Sequence, residues 1–323
     1  MAGLFAHPLA LLTALLAAAG MGFAIQRGGT CMVSAMDQLV RQRSPGKLLS
    51  LAECSLWTSA LGLIVVMAGF AFGASPAYPL GLATVLGGLL LGAGAWLNGA
   101  CVFGSIARIG GRDWHYLLTP PGYFLGSLVH FRLLGDYARA EMETQSSATL
   151  PVLVVLVLAS FTASLLSFRR SRGDLASLWT YRHATIAIGF AFVVLVAVAG
   201  SWTYTEALGR ISHGHGVPHW PEVLLFAALL GGAIFGGRRL AAPGGFVPRR
   251  ALFCLAGGGL MGFGGSMVPG GNDNLILVGL PGLQPHAWVA ICAMALAIAA
   301  GLLGEAAWRK IQLSRTLGRA DPA

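Results

Sequence analysis

The sequence predicts an all-α, polytopic membrane protein of about nine transmembrane helices plus short re-entrant helices, and three observations predict it. Hydrophobic residues make up 56% of the 323 and charged residues 10%, whereas an ordinary soluble domain carries about a quarter of its residues as charges. The apolar residues come in runs of about 17 to 25, the length that crosses a bilayer. The arginines gather between those runs. In a soluble chain the formal charge of +9 would point to nucleic acid. Here no zinc-finger spacing or recognition-helix pattern accompanies it, so nucleic acid is excluded and the basic residues are read as lipid anchors that set orientation.

The elements follow in order. Residues 1–25, MAGLFAHPLALLTALLAAAGMGFAI, lack a basic leading region and read as a retained span rather than a cleaved signal. The spans are 4–25, 48–72, 79–97, 118–135, 149–168, 182–200, 221–236, 249–266 and 285–305. Pieces too short to cross follow Gly-rich breaks within GGTCMVSAMDQLV and at 101–109 and 272–280. Breaks inside a membrane are tolerated where freed backbone groups face protein, a cavity or an ion. Basic clusters at Arg41, Arg43 and Lys47, at Arg169, Arg170 and Arg172, at Arg238, Arg239, Arg249 and Arg250, and at Arg309 and Lys310 all fall in the cytoplasm if the N-terminus is periplasmic and the C-terminus cytoplasmic. The loop 201–220, with His213, His215 and His219, then lies outside. Trp96, Trp202 and Trp220 read as rings anchored at the membrane interface.

An internal repeat sets the architecture. GGLLLGAGAWLNGAC, 87–101, aligns without gaps to GGGLMGFGGSMVPGG, 257–271. Gly88, Gly92 and Gly94 match Gly258, Gly262 and Gly264, and Cys101 matches Gly271. The two copies run in opposite directions across the membrane, so one membrane domain, 1–323, is read as two inverted halves, 1–145 and 146–323. Inverted repeats with broken helices surround a midplane substrate site.

A half-helix that starts inside the membrane has unsatisfied N–H groups and the positive end of a dipole, which together bind an anion without a full positive charge. Asn98-Gly99-Ala100-Cys101 presents such a turn, with the thiol at the helix start and glycine allowing close approach. Gly270-Gly271-Asn272-Asp273-Asn274 presents a second. There Asn272 or Asp273 caps the short helix, or the Asn272 and Asn274 amides donate to a substrate oxygen. Asp273 repels an anion unless it is protonated, paired or turned away. Gln26-Arg27-Gly28-Gly29-Thr30-Cys31 is the third, with Arg27 either guiding anions or reaching to headgroups. Arg108 lines a cytoplasmic exit or anchors the helix. Cys54, Cys254 and Cys292 lie inside spans and read as core residues. The spacing of the five cysteines fits neither a disulfide framework nor a zinc site, and no metal or other cofactor is implied. Asp37, Glu53 and Glu305 read as salt partners or caps. No convincing sodium or proton site is visible.

QRGGTC (26–31), LGAGAWLNGACVFGSIARIG (91–110) and GGGLMGFGGSMVPGG (257–271) resemble the repeated motifs of the YeeE/YedE family of bacterial inner-membrane proteins, which includes a thiosulfate transporter. The resemblance implies uptake of thiosulfate or a related sulfur anion through a central, cysteine-lined path, with no enzymatic step. Matched by motif, Cys31 and Cys101 take the places of the first two family cysteines. Gly271 stands where the third is expected. The resemblance also implies a TusA-like sulfur carrier or a rhodanese as partner. The alternatives are a membrane sulfur-transfer protein handing sulfane sulfur from Cys31 or Cys101 to a soluble carrier, and a structural membrane subunit that transports nothing.

Overall fold

The computed structural model describes residues 8–67, 78–135, 162, 181–214, 220–238, 245–268 and 270–317. The expected span 149–168 apart from residue 162, the junction of the two halves, the arginines at 169, 170, 172 and 239, and His215 and His219 lie outside the described residues.

Every regular element among the described residues is helical. Helix α1 (Pro8–Gly28) ends at Gly29, whose φ of 57° is a left-handed conformation that glycine adopts without strain. The short α2 (Met32–Gln42) and the long α3 (Gly46–Met67) follow. Helix α4 (Leu82–Asn98) is closed by Gly99, with φ of 73° and its N–H on the Trp96 carbonyl, and the short α5 (Val102–Gly110) begins at once. A 3-10 turn (Trp114–Leu118) leads into α6 (Thr119–Leu134). The second series is α7 (Tyr181–Ala199), α8 (Tyr204–Ser212), α9 (Trp220–Gly236), α10 (Pro248–Met267), α11 (Asn272–Gly279) and α12 (Pro285–Leu317). Five described helical stretches are long and apolar enough to cross a membrane, six if the bent pair α10 and α11 is one span. The chain is therefore an all-α, multi-spanning membrane protein.

The centre of the fold is the crossing of α4 and α10, where glycine replaces every side chain that would hold the backbones apart. A methyl group added at Gly94 would lie 2.7 Å from the Gly257 carbonyl oxygen and 2.7 Å from the Met261 nitrogen. One added at Gly264 would lie 2.6 Å from the Gly87 oxygen and 2.8 Å from the Leu91 nitrogen. Gly257, Met261 and Gly264 are the repeat partners of Gly87, Leu91 and Gly94, so the same contact is made twice, once from each helix. The crossing is antiparallel and reciprocal. Small residues permit such close packing where lipid removes the hydrophobic drive between helices. On their other faces, Gly88 and Gly92 receive Ala290 and Met294 of α12, while Gly258 and Gly262 receive Thr119 and Tyr123 of α6.

Ion pairs tie the periphery. Arg182 of α7 binds Glu53 of α3, Arg210 of α8 binds Glu222 of α9 at 2.8 Å, and Arg41 of α2 reaches Asp37 at 2.6 Å and Glu305 at 3.8 Å. Three expectations need correction. Residues 204–212, expected in an external loop, form α8 and bury Tyr204 and Thr205 in the interior. Trp202, expected as an interfacial ring, is 1% exposed because it packs at the entry to that helix, whereas Trp96 and Trp220 are exposed. Cys292, expected in the core, faces outward on α12, whereas Cys54 and Cys254 are buried.

Candidate functional site

Four short helices begin inside the protein: α2 at Cys31, α5 at Cys101, α8 at Thr203 and α11 at Gly271. Each cap residue is extended. The caps of α5 and α11 are nearly superimposable in torsion, with φ and ψ of −75° and −176° at Cys101 and −70° and 177° at Gly271.

The first two starts clasp each other. The Met32 N–H donates to Cys101 Sγ at 3.1 Å, and the Cys101 N–H donates to Cys31 Sγ at 3.5 Å. Each sulfur thus occupies a backbone donor at the start of the other's helix. Cys101 is fully buried and Cys31 partly so. Gly104, one turn into α5, makes the space: a methyl group there would overlap Cys31 Sγ.

The other two starts carry oxygen in place of sulfur. Thr203 Oγ1 accepts from the Glu206 N–H at 3.4 Å. The Thr205 hydroxyl donates to Asp273 Oδ1, and the Asn274 N–H donates to the same oxygen at 2.9 Å. A methyl group at Gly271 would lie 2.7 Å from Asp273 Oδ1 and 2.7 Å from Thr205 Oγ1. The space that a third thiol would need is filled by this carboxylate–hydroxyl pair. A narrow cavity adjoins it, lined by Ile25, Phe103, Tyr204, Leu229, Leu277 and Asp273 among others.

The two pairs of starts meet at α5 and α11. The Val102 N–H donates to Asn272 Oδ1 at 3.2 Å, and the Tyr204 phenol donates to the Val102 carbonyl at 3.1 Å. Asn272 is fully buried, yet its Nδ2 has no hydrogen-bond partner, and neither has Oγ1 of buried Thr30, the residue before Cys31. A buried amide without an acceptor is costly, and an anion at this centre would supply one.

The remaining sequence candidates divide. Asn98 is a scaffold: its Nδ2 donates to the Ala100 carbonyl at 2.7 Å and to Ser105 Oγ at 3.0 Å, while its Oδ1 accepts from Thr119 at 3.1 Å. Gly99 supplies the left-handed turn beneath it. Neither Asn272 nor Asp273 is the cap of α11, because that position belongs to Gly271. Asn274 and Gly270 are neighbours at the same turn, where a methyl group on Gly270 would overlap the Asn274 amide. Arg27 and Arg108 are exposed, at the last turns of α1 and α5. The guanidinium of Arg108 lies 5.9 Å from the Tyr116 ring centroid and that of Arg250 lies 5.1 Å away. Burial pushes the Tyr116 phenol up from its ordinary value against the pull of Arg250, so it stays protonated. Arg250 also donates to the Asn98 carbonyl at 2.6 Å, closing the C-terminus of α4 with a positive charge.

Sequence reasoning missed Thr203, Thr205, Gly104 and the capping role of Arg250. The run Thr203-Tyr204-Thr205-Glu206 does carry a signal, a Thr with Glu three residues on, the signature of a helix start.

Residues 27–220 match the family described as Sulphur transport, which is more than half of the chain. The protein belongs to that family. No curated protein matches the chain. The sulphur transport match begins at Arg27 and takes in the starts at Cys31, Cys101 and Thr203, whereas Gly271 lies beyond it. The resemblance of the sequence motifs to the YeeE/YedE proteins thus holds at the level of the family, which assigns the chain a role in moving sulfur across a membrane. Among the described residues no group of three His, Cys, Asp or Glu side chains is placed to hold a metal ion.

Proposed function

We propose that the protein takes up thiosulfate, or a closely related sulfur anion, across the bacterial inner membrane along a path that passes Cys31 and Cys101. The observation that carries this reading is the mutual clasp of the two thiols and the two helix starts. Backbone N–H groups at a helix start bind anions, and here a thiol holds each of them in reserve. Sulfur is a weak acceptor, so an incoming anion displaces it cheaply and leaves as cheaply, which flux requires. The orphaned Asn272 amide, one hydrogen bond from α5, gives the anion's oxygens a donor. Gly99, Gly270 and Gly271 let the anion approach the backbone closely, and Asn274 borders the same turn. Arg27 and Arg108, exposed where the ends of α1 and α5 adjoin, attract anions at one mouth of the path.

The architecture that suits this function is nine spans in two inverted halves, 1–145 and 146–323, with the N-terminus periplasmic and the C-terminus cytoplasmic. The reciprocal crossing of α4 and α10 supports it, as does the matching order of long and short helices before and after. A TusA-like carrier or a rhodanese is the partner suited to receive the delivered sulfur.

Purified protein in liposomes tests the reading. Wild type takes up labelled thiosulfate with no partner present, and sulfate does not compete. Cys101→Ala lowers the initial rate of uptake at least about tenfold; unchanged uptake would remove the thiol from the mechanism. A persulfide trapped on Cys31 or Cys101 during turnover would replace permeation by sulfur transfer.

A further inference from the structure

We infer that Asp273 is a proton-binding site that couples inward proton movement to uptake of the anion, an inference that rests on the transport reading above. Asp273 is 2% exposed at the start of α11 and lines the cavity beside Phe103, Tyr204 and Leu277. Its hydrogen bonds from Thr205 and from the Asn274 N–H both fall on Oδ1. Among the described residues it forms no ion pair. An ionised carboxylate in such a place, without a cation, is costly, and intramembrane carboxylates that persist mark proton relays and ion pathways.

Among the described residues, the titratable groups that face it are Tyr123 from α6 and Tyr204 from α8, with Cys101 of α5 beyond Tyr204 and Glu206 of α8 beyond Tyr123. None is a cation, so a proton is what neutralises Asp273. Both partners of Oδ1 are hydrogen-bond donors and most of the lining is hydrocarbon, which suits a carboxyl group and not a cage of oxygen ligands for a metal ion. The Thr205 hydroxyl that donates to Asp273 comes from α8, so the carboxylate bridges the starts of α8 and α11.

The coupling follows from charge. Asn272, the residue before Asp273, accepts from Val102 at the start of α5, next to Cys101. An anion held there is repelled by ionised Asp273 and not by its neutral form. Each ligand therefore tightens the other, as linkage requires. One proton from the outer water binds the carboxylate, crosses with the anion and is released to the inner water. The anion is chemically unchanged and no electron moves.

The test uses full-length protein in liposomes with the membrane potential clamped at zero, and reads thiosulfate uptake with and without an inward proton gradient. For wild type the gradient raises the initial rate about tenfold. For Asp273→Asn, normalised to its own rate without a gradient, the ratio falls to one. A variant that keeps the wild-type ratio, or a wild type that takes up thiosulfate with no response to the gradient, overturns the proposal. Absence of thiosulfate uptake in every preparation is failure of the transport reading instead. Infrared titration without substrate then decides Asp273 alone. A carboxyl band that titrates in wild type across the physiological range, and is lost in Asp273→Asn or shifted in Thr205→Val, supports the site. No such band overturns it.

Discussion

The starts of α5 and α11 share one backbone and differ in chemistry. Both caps are extended with nearly equal torsions, both occupy the same place in the internal repeat, and both follow a helix of the glycine crossing. At α5 the cap is a thiol in contact with a second thiol; at α11 the cap has no side chain, and a carboxylate held by Thr205 fills the space. The comparison teaches that the space beside Gly271 is not empty, because Asp273 and Thr205 occupy it. One backbone start is used twice, once beside two thiols and once beside a carboxylate.

Four experiments test that comparison, in descending order of effect. The crossing is shared, so enlarging it from either side should hurt alike. Gly94→Leu and Gly264→Leu each cost about 3 kcal/mol or more through overpacking against backbone, read as loss of the folded peak in detergent. Unequal losses would break the symmetry of the pair. Next, Cys101→Ala lowers initial thiosulfate uptake at least about tenfold, a barrier rise of roughly 1.4 kcal/mol, while thermal unfolding moves little. A comparable loss of stability would recast the thiol as packing. Third, Gly271→Cys costs about 1–3 kcal/mol because the new side chain meets Asp273 and Thr205. Combining it with Asp273→Ala should recover much of that, and a double-mutant cycle in thermal melts measures the coupling. Strict additivity would show that the carboxylate does not hold the thiol's place. Last, Thr203→Ala removes the cap of α8 and costs about 1 kcal/mol. A null effect in the same melts would mean that tertiary packing alone fixes this helix start.

Much of this was legible in the sequence for a physical reason. A glycine break beside a cysteine in apolar sequence has few structural uses, so Cys31 and Cys101 stood out, and the glycine spacing of 87–101 and 257–271 announced an internal repeat, though not that its two copies cross each other. The start of α8 was hidden because a single glycine, Gly200, precedes SWTYTEALGRIS, no cysteine marks it, and the segment is too polar to read as membrane sequence; its capping pattern is the better signal. Trp202 was misplaced because tryptophan near a span end usually sits at the interface, and nothing local reveals that the chain turns inward there. Arg250 was counted with the basic loop residues, since no sequence pattern tells a charge that anchors to headgroups from one that closes another helix's carbonyls 152 residues away. Asp273 was seen, but its Thr205 partner comes from a distant helix.

The glycine crossing has one more consequence. With side chains absent, the Gly94 and Gly264 methylene hydrogens are left facing the carbonyl oxygens of Gly257 and Gly87. Contacts of this kind add about 0.5–1 kcal/mol each, and they draw on peptide dipoles rather than on expelled water. The junction at the heart of the molecule therefore owes its cohesion to the main chain, and the acyl chains outside neither supply that cohesion nor dilute it.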